Sequence, residues 1–215
     1  TSREGKSDED FLVDLVAETD MDGIFLDTMV GDSPVLRSKL EAVRPGVSLT
    51  PEGNPPIQSL AICNGSWAQG LYDENDPGLN HLNWIEPRHM RWRIWRWNTT
   101  HRDEIRHAFF NGSGMLVWEN VFGSHMRWTL NDRRMWRRAV AILRQFKTNF
   151  NSDAWEPFIE PAGNGEGLMS NAGLFIHRWP SDKATVYTIY MKEKKPADVF
   201  LWYDPLEVSL FRVPA

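Results

Sequence analysis

Gly23-Ile24-Phe25-Leu26-Asp27 is the stretch on which the fold turns. It runs through apolar residues into a carboxylate with no polar alternation, the pattern of a strand buried on both faces of a parallel sheet. Upstream, Ser7-Asp8-Glu9-Asp10 reads as a capping-box-like opening, and Phe11, Leu12, Leu15 and Val16 follow at helical spacing, so a helix ends near Thr19. Downstream, Ser33-Pro34 supplies an N-cap with proline in the first turn, Leu36, Leu40 and Val43 form a stripe, and Pro45-Gly46 stops the helix. Val47-Ser48-Leu49-Thr50 is then a second strand, ending at Pro51-Glu52-Gly53. Strand, helix and strand within about thirty residues make a βαβ unit, whose crossover is right-handed.

The rhythm continues. After a Pro/Gly/Asn-rich excursion containing Ser66-Trp67-Ala68-Gln69, residues 79–85 are predicted as a third strand ending at Glu86. Pro87 is predicted to open a long helix with Met90, Ile94, Trp97, His101, Ile105 and Ala108 on one stripe, broken at Asn111-Gly112-Ser113-Gly114. Residues 115–118 make an apolar strand ending at Glu119, and Asn131-Asp132 caps a helix with Met135, Trp136, Ala139, Val140, Leu143 and Phe146 inward. From Trp155 onward, strand-like pieces at 174–177, 184–191 and 199–202 carry no helical stripe between them. The expected organisation is therefore α/β over residues 1–152, followed by a small antiparallel β-sandwich-like module over 153–215. Four strand–helix units are half of the eight in a (β/α)₈ barrel. Either they form a doubly wound sheet, or they are the C-terminal part of a barrel. The start at Thr1-Ser2-Arg3, without Met or an apolar leader, favours the second, with the natural N-terminus missing. A half barrel leaves sheet edges unpaired, so a chain of this kind is expected to self-associate or dimerise.

Composition removes other classes. The 215 residues carry 24 Lys and Arg against 29 Asp and Glu, a formal charge of −5, which gives no global field for nucleic acid or anionic membrane. Cys63 is the single cysteine, so neither a disulfide framework nor a Cys-rich zinc site is available. No apolar run approaches the roughly 18 residues of a membrane helix. Eleven tryptophans are the unusual feature, suited to core filling or to stacking on sugar rings or bases.

Asp27, Glu52, Glu86 and Glu119 all stand at or just after predicted strand ends, and in a parallel α/β sheet those ends share the face that carries active sites. Two converging carboxylates in a Trp-rich cleft suit glycoside hydrolysis, where one protonates the leaving oxygen and the other attacks or activates water. Trp67, Trp84 and Trp118 stand beside these ends as sugar platforms, with plain core packing as the competing reading. Glu86 and His89 form a bare E-x-x-H without a matching ligand set, so no metal is expected. Gly163-Asn164-Gly165-Glu166-Gly167 lacks the Lys-Ser/Thr of a phosphate loop, Ser66 lacks a nucleophile elbow, and no cofactor is expected. The Arg/Trp mixture between Arg88 and Arg106 is explained by the helical stripe rather than by nucleic acid. A non-catalytic carbohydrate-binding module, using the same Trp faces without a matched acid pair, stays open beside the enzyme.

Three stretches carry a resemblance: Gly23-Ile24-Phe25-Leu26-Asp27-Thr28, Glu86-Pro87-Arg88-His89-Met90, and the run from Gly114 through Trp118-Glu119-Asn120 to Ser124. Together they resemble a glycosidase-like (β/α)₈ barrel family of largely uncharacterised bacterial proteins, some joined to a formylglycine-generating-enzyme-like module. More distantly the chain is similar to retaining α-galactosidases and α-L-fucosidases, over roughly residues 20 to 150. The resemblance implies that Asp27 ends barrel strand four and is the nucleophile. It implies Glu86 as acid/base, tuned by Arg88 and His89, with Glu119 as the rival. Glu52, Trp67, Trp84, Trp118 and Asn120 would then contact a carbohydrate substrate. Strands one to three are absent, and Glu replaces the Asp that α-galactosidases use as the acid.

Overall fold

The computed structural model describes residues 5–28, 33–53, 55–69, 81–94, 101–118, 127–159 and 174–191. They form two compact units, one of residues 1–69 with 89–92, the other of 70–88 with 93–215.

In the first unit, helix α1 (Asp8–Thr19) starts where Ser7 Oγ accepts the Asp10 N–H, with three acids in the first turn facing the positive end of the helix dipole. Strand β1 (Gly23–Leu26) leads to helix α2 (Pro34–Val43), capped by Ser33 on the Leu36 N–H with proline in its first turn. Gly46, at φ 84°, turns the chain into β2 (Ser48–Pro51) through a conformation that a side chain would strain. β1 and β2 pair in parallel, Gly23 opposite Ser48 and Phe25 opposite Thr50. One face of the pair packs on α1 and α2 through Val16, Leu26, Leu36, Leu40, Val47, Leu49 and Cys63. Leu40 and Leu49 are fully buried, each stabilising this unit by about 2 kcal/mol. Strand β3 (Gly65–Gln69) continues the sheet through a parallel bridge between Glu52 and Trp67. The Met90 N–H then donates to the Asn64 carbonyl, so β3 and β4 (Met90–Ile94) pair start to start and run parallel.

Two predicted elements are corrected. Residues 79–85 do not make the third strand, because His81–Ile85 is a short helix, α3, and the third strand is β3. The long helix expected from Pro87 is strand β4 followed by helix α4 (Arg102–Phe110). The stripe read from Met90 to Ala108 mixed two periods: Met90, Trp92 and Ile94 alternate at period 2, while His101, Ile105 and Ala108 recur at helical spacing.

In the second unit, Arg93 bridges Met115 in parallel, donating to Gly114 and accepting from Leu116. Helix α5 (Leu130–Gln145) begins at a reciprocal capping box in which Thr129 accepts from the Asp132 N–H and Asp132 accepts from the Thr129 N–H. Thr129→Ala is expected to cost about 1 kcal/mol, lowering the melting midpoint by about 2–4 °C in thermal circular dichroism. The short helix α6 (Lys147–Phe150) and the antiparallel hairpin of β5 (Leu174–Pro180) and β6 (Thr185–Met191) complete the described part. The hairpin belongs to the same compact unit as α4–α6. The strand expected at 199–202 lies outside the described residues.

His177 ties the hairpin to α4. Its ring is fully buried, stacks on Phe110, and accepts the Phe158 N–H at Nδ1 (3.1 Å). Nδ1 is therefore the unprotonated nitrogen, leaving Nε2–H to donate to Asn111 Oδ1 at 3.4 Å. Burial pushes its pKa from 6.5 down to about 3. The unfolded chain takes up this proton first as pH falls, so the stability contributed by the neutral ring is complete above 6.5 and is lost toward about 3. Between pH 7 and pH 5 the loss is expected to reach about 2 kcal/mol, at about 1.36 kcal/mol per unit below the unfolded value. Urea midpoints across that range should show it, and His177→Gln should flatten the dependence.

Candidate functional site

The first unit brings strand-end groups together at the exits of β1 and β2. Asp27 follows β1 and is exposed. Thr28, the next residue, sits at φ 58°, and its N–H donates to Glu52 Oε2 at 2.9 Å. A non-glycine residue in that region is uncommon, and the Glu52 carboxylate holds it there. Asp27 and Glu52 thus belong to one cluster, linked through the backbone of the residue after the aspartate.

Beside it stands an aromatic platform. Cross-strand neighbours share a sheet face, so Phe25 opposite Thr50, and Glu52 opposite Trp67, put Phe25, Glu52 and Trp67 on one side. Phe25 and Trp67 stack with ring centroids 3.6 Å apart and planes 18° apart. This is the face opposite the α1–α2 core, and Phe25, Trp67 and Trp92 are only half-buried on it. A flat apolar surface flanked by carboxylates can hold the apolar face of a sugar ring while accepting hydrogen bonds from its hydroxyls.

The other expected residues are placed differently. Glu86 follows helix α3, at the entrance to β4 and not at a strand exit, because His81–Ile85 is helical. Its carboxylate is held by Arg88, accepting from the backbone N–H at 3.1 Å, Nε at 2.9 Å and Nη2 at 3.1 Å. That hydrogen-bonded charge raises the exposed guanidinium above its ordinary value. His89 precedes β4 and is buried, its Nε2 3.1 Å from the Oγ of fully buried Ser66, on the sheet face opposite Trp67. Neither Arg88 nor His89 is in the described strand-exit cluster. Trp84 lies in α3, with its side chain outside the described part, and Trp118 is half-buried beyond the Met115 bridge. Glu119 and Asn120 lie outside the described residues.

Sequence reasoning missed Phe25, Thr28 and Trp92. Phe25 and Trp92 carry a period-2 signal, but Thr28 contributes a backbone N–H, which no side-chain pattern reports. Among the described residues no group of three or more His, Cys, Asp or Glu could hold a metal ion, and no helix is long and apolar enough to cross a membrane. No protein-family model matches the chain, and a search of curated proteins finds no match.

Proposed function

We propose that the chain carries part of a glycosidase-like (β/α) barrel and that the exits of β1 and β2 form its sugar site. The single observation behind this reading is the Thr28–Glu52 hydrogen bond beside exposed Asp27 and the Phe25–Trp67 stack. Strand order supports the barrel: β1, β2, β3 and β4 pair parallel in chain order, and within the second unit Arg93 bridges Met115 in the same sense. A doubly wound sheet instead reverses its strand order at a switch point.

In this mechanism an Asp27 carboxylate oxygen attacks the anomeric carbon as the glycosidic C–O bond breaks, and an acid gives its proton to the leaving oxygen. Water then attacks the anomeric carbon, the ester C–O bond breaks to return the carboxylate, and the water proton passes to the conjugate base of that acid. The resemblance gives Glu86 and Glu119 as the two candidates for that acid, and the variants below choose between them. Glu52 accepts from a sugar hydroxyl, and Trp67 supports the ring.

The test measures turnover of a panel of activated aryl glycosides, and sugar binding by calorimetry, for the unaltered chain and for Asp27→Asn, Glu119→Gln, Glu86→Gln and Trp67→Ala. Loss of turnover with retained binding in Asp27→Asn and in one of Glu119→Gln and Glu86→Gln supports the enzyme and names its acid. Binding that is indifferent to Asp27→Asn and abolished by Trp67→Ala, without turnover of any glycoside, replaces it with a carbohydrate-binding module.

A further inference from the structure

Helix α5 carries Arg133, Arg134, Arg137, Arg138 and Arg144 against a single acid, Asp132, whose carboxylate is taken up at the N-cap. Beside this helix, within the second unit, lies an open groove of about 460 Å³, lined by Val117 and Trp128 and, from α5, by Arg133, Trp136, Arg137 and Arg144 among others. The lining is mostly apolar, and Val117 is 54% exposed. The helical repeat puts Arg133, Arg137 and Arg144 within about 40° of one another, whereas Arg134 and Arg138 lie about 60° and 100° further round. Arg137 and Arg144 are exposed and meet no acidic side chain among the described residues, in a chain whose net charge is −5. Unneutralised guanidiniums above an apolar floor are complementary to a ligand that is both anionic and apolar.

We propose that this groove docks an acidic peptide segment of a partner protein, with its apolar side chains against Val117 and Trp136 and its carboxylates on Arg137 and Arg144. A bare anion makes no use of the floor, and a neutral sugar leaves the guanidiniums unpaired. An extended peptide supplies both chemistries at matching intervals. Carboxylates on one face of an extended segment recur about every 7 Å, so a pair two or four residues apart, about 7 or 14 Å, brackets the rise of about 10.5 Å from Arg137 to Arg144, a difference the long guanidinium side chains span. The groove uses none of the residues assigned to sugar chemistry, so this inference stands or falls apart from that one.

The test titrates the full chain into a fluorescein-labelled peptide of about ten residues alternating Glu and Leu, read by fluorescence anisotropy. Expected is saturable binding that Arg137→Glu with Arg144→Glu weakens by about tenfold or more. Arg134→Glu with Arg138→Glu, the same charge change off the groove, should shift it by less than about twofold. A Glu/Ser peptide of equal charge should bind about tenfold more weakly, because it leaves the floor empty. All four arginines are exposed, and thermal circular dichroism of the variants separates lost docking from lost folding. Equal losses in the two double variants, equal binding of the Glu/Ser peptide, or no saturable binding would each overturn the proposal. Displacement of the peptide by a single-stranded oligonucleotide at lower concentration would transfer the groove to nucleic acid.

Discussion

Asp27→Asn is expected to lower glycoside turnover by about a thousandfold or more, about 4 kcal/mol of transition-state stabilisation. Asparagine keeps the size and hydrogen-bonding reach of the aspartate but cannot form the glycosyl ester, so in the proposed mechanism the covalent step disappears while the proposed sugar-holding surface stays. Asp27 is exposed and the Thr28–Glu52 hydrogen bond uses backbone on the Thr28 side, so the substitution leaves the local fold intact. Sugar affinity should therefore change by less than about twofold, since the sugar-holding contacts remain. Initial rates on aryl glycosides with calorimetry on the matching free sugar separate the two quantities. Unchanged turnover in an active chain would remove Asp27 from the chemistry.

Gly65→Ala is expected to destabilise the first unit by about 3 kcal/mol, the upper end of the range for overpacking a close-packed site. Here β3 approaches β4 so closely that a Cβ on Gly65 would run into the Met90 carbonyl and lie 2.7 Å from Trp92 Cζ3. The ring can rotate away, but the carbonyl belongs to the backbone of β4 and moves only if the two strands separate. The constraint is one of space, not of backbone dihedral. Trp92→Leu in the Gly65→Ala background should recover only a minor part of the loss, because it relieves the ring and not the carbonyl. Urea midpoints together with amide hydrogen exchange across β3 and β4 would measure it, and wild-type protection in Gly65→Ala would show that the strands are not held this closely.

How much of this was legible in sequence differs along the chain for a physical reason. Helices α1, α2 and α5 and strands β1 and β2 are marked by local chemistry: Ser7, Ser33 and Thr129 as caps, Pro34 in a first turn, and unbroken apolar runs. The stretch from 65 to 94 lacks such marks. Ser66-Trp67-Ala68-Gln69 looks like loop because Ser66 is polar, yet it is fully buried and meets His89 across the sheet. Arg91 and Arg93, 4% and 1% exposed, alternate with Trp92 and Ile94, and the stripe drawn through Met90 and Ile94 took this strand for the start of a helix. Burial of a charged side chain depends on partners distant in sequence, and no local window contains them. That error moved the strand count and carried Glu86 to a strand exit it does not occupy.

By itself the sequence determined the class of structure, mixed α and β with a parallel βαβ opening, and it singled out Asp27, Glu52 and Trp67 as residues that could meet at strand ends. These follow from periodicity and capping, which are properties of neighbouring residues. Only the tertiary structure decided that Glu52 reaches the backbone beyond Asp27, that Phe25 lies under Trp67, and that Glu86 is held by Arg88 at the entrance to β4. Those depend on the register of one strand against another, where a shift of a single residue turns every side chain to the opposite face.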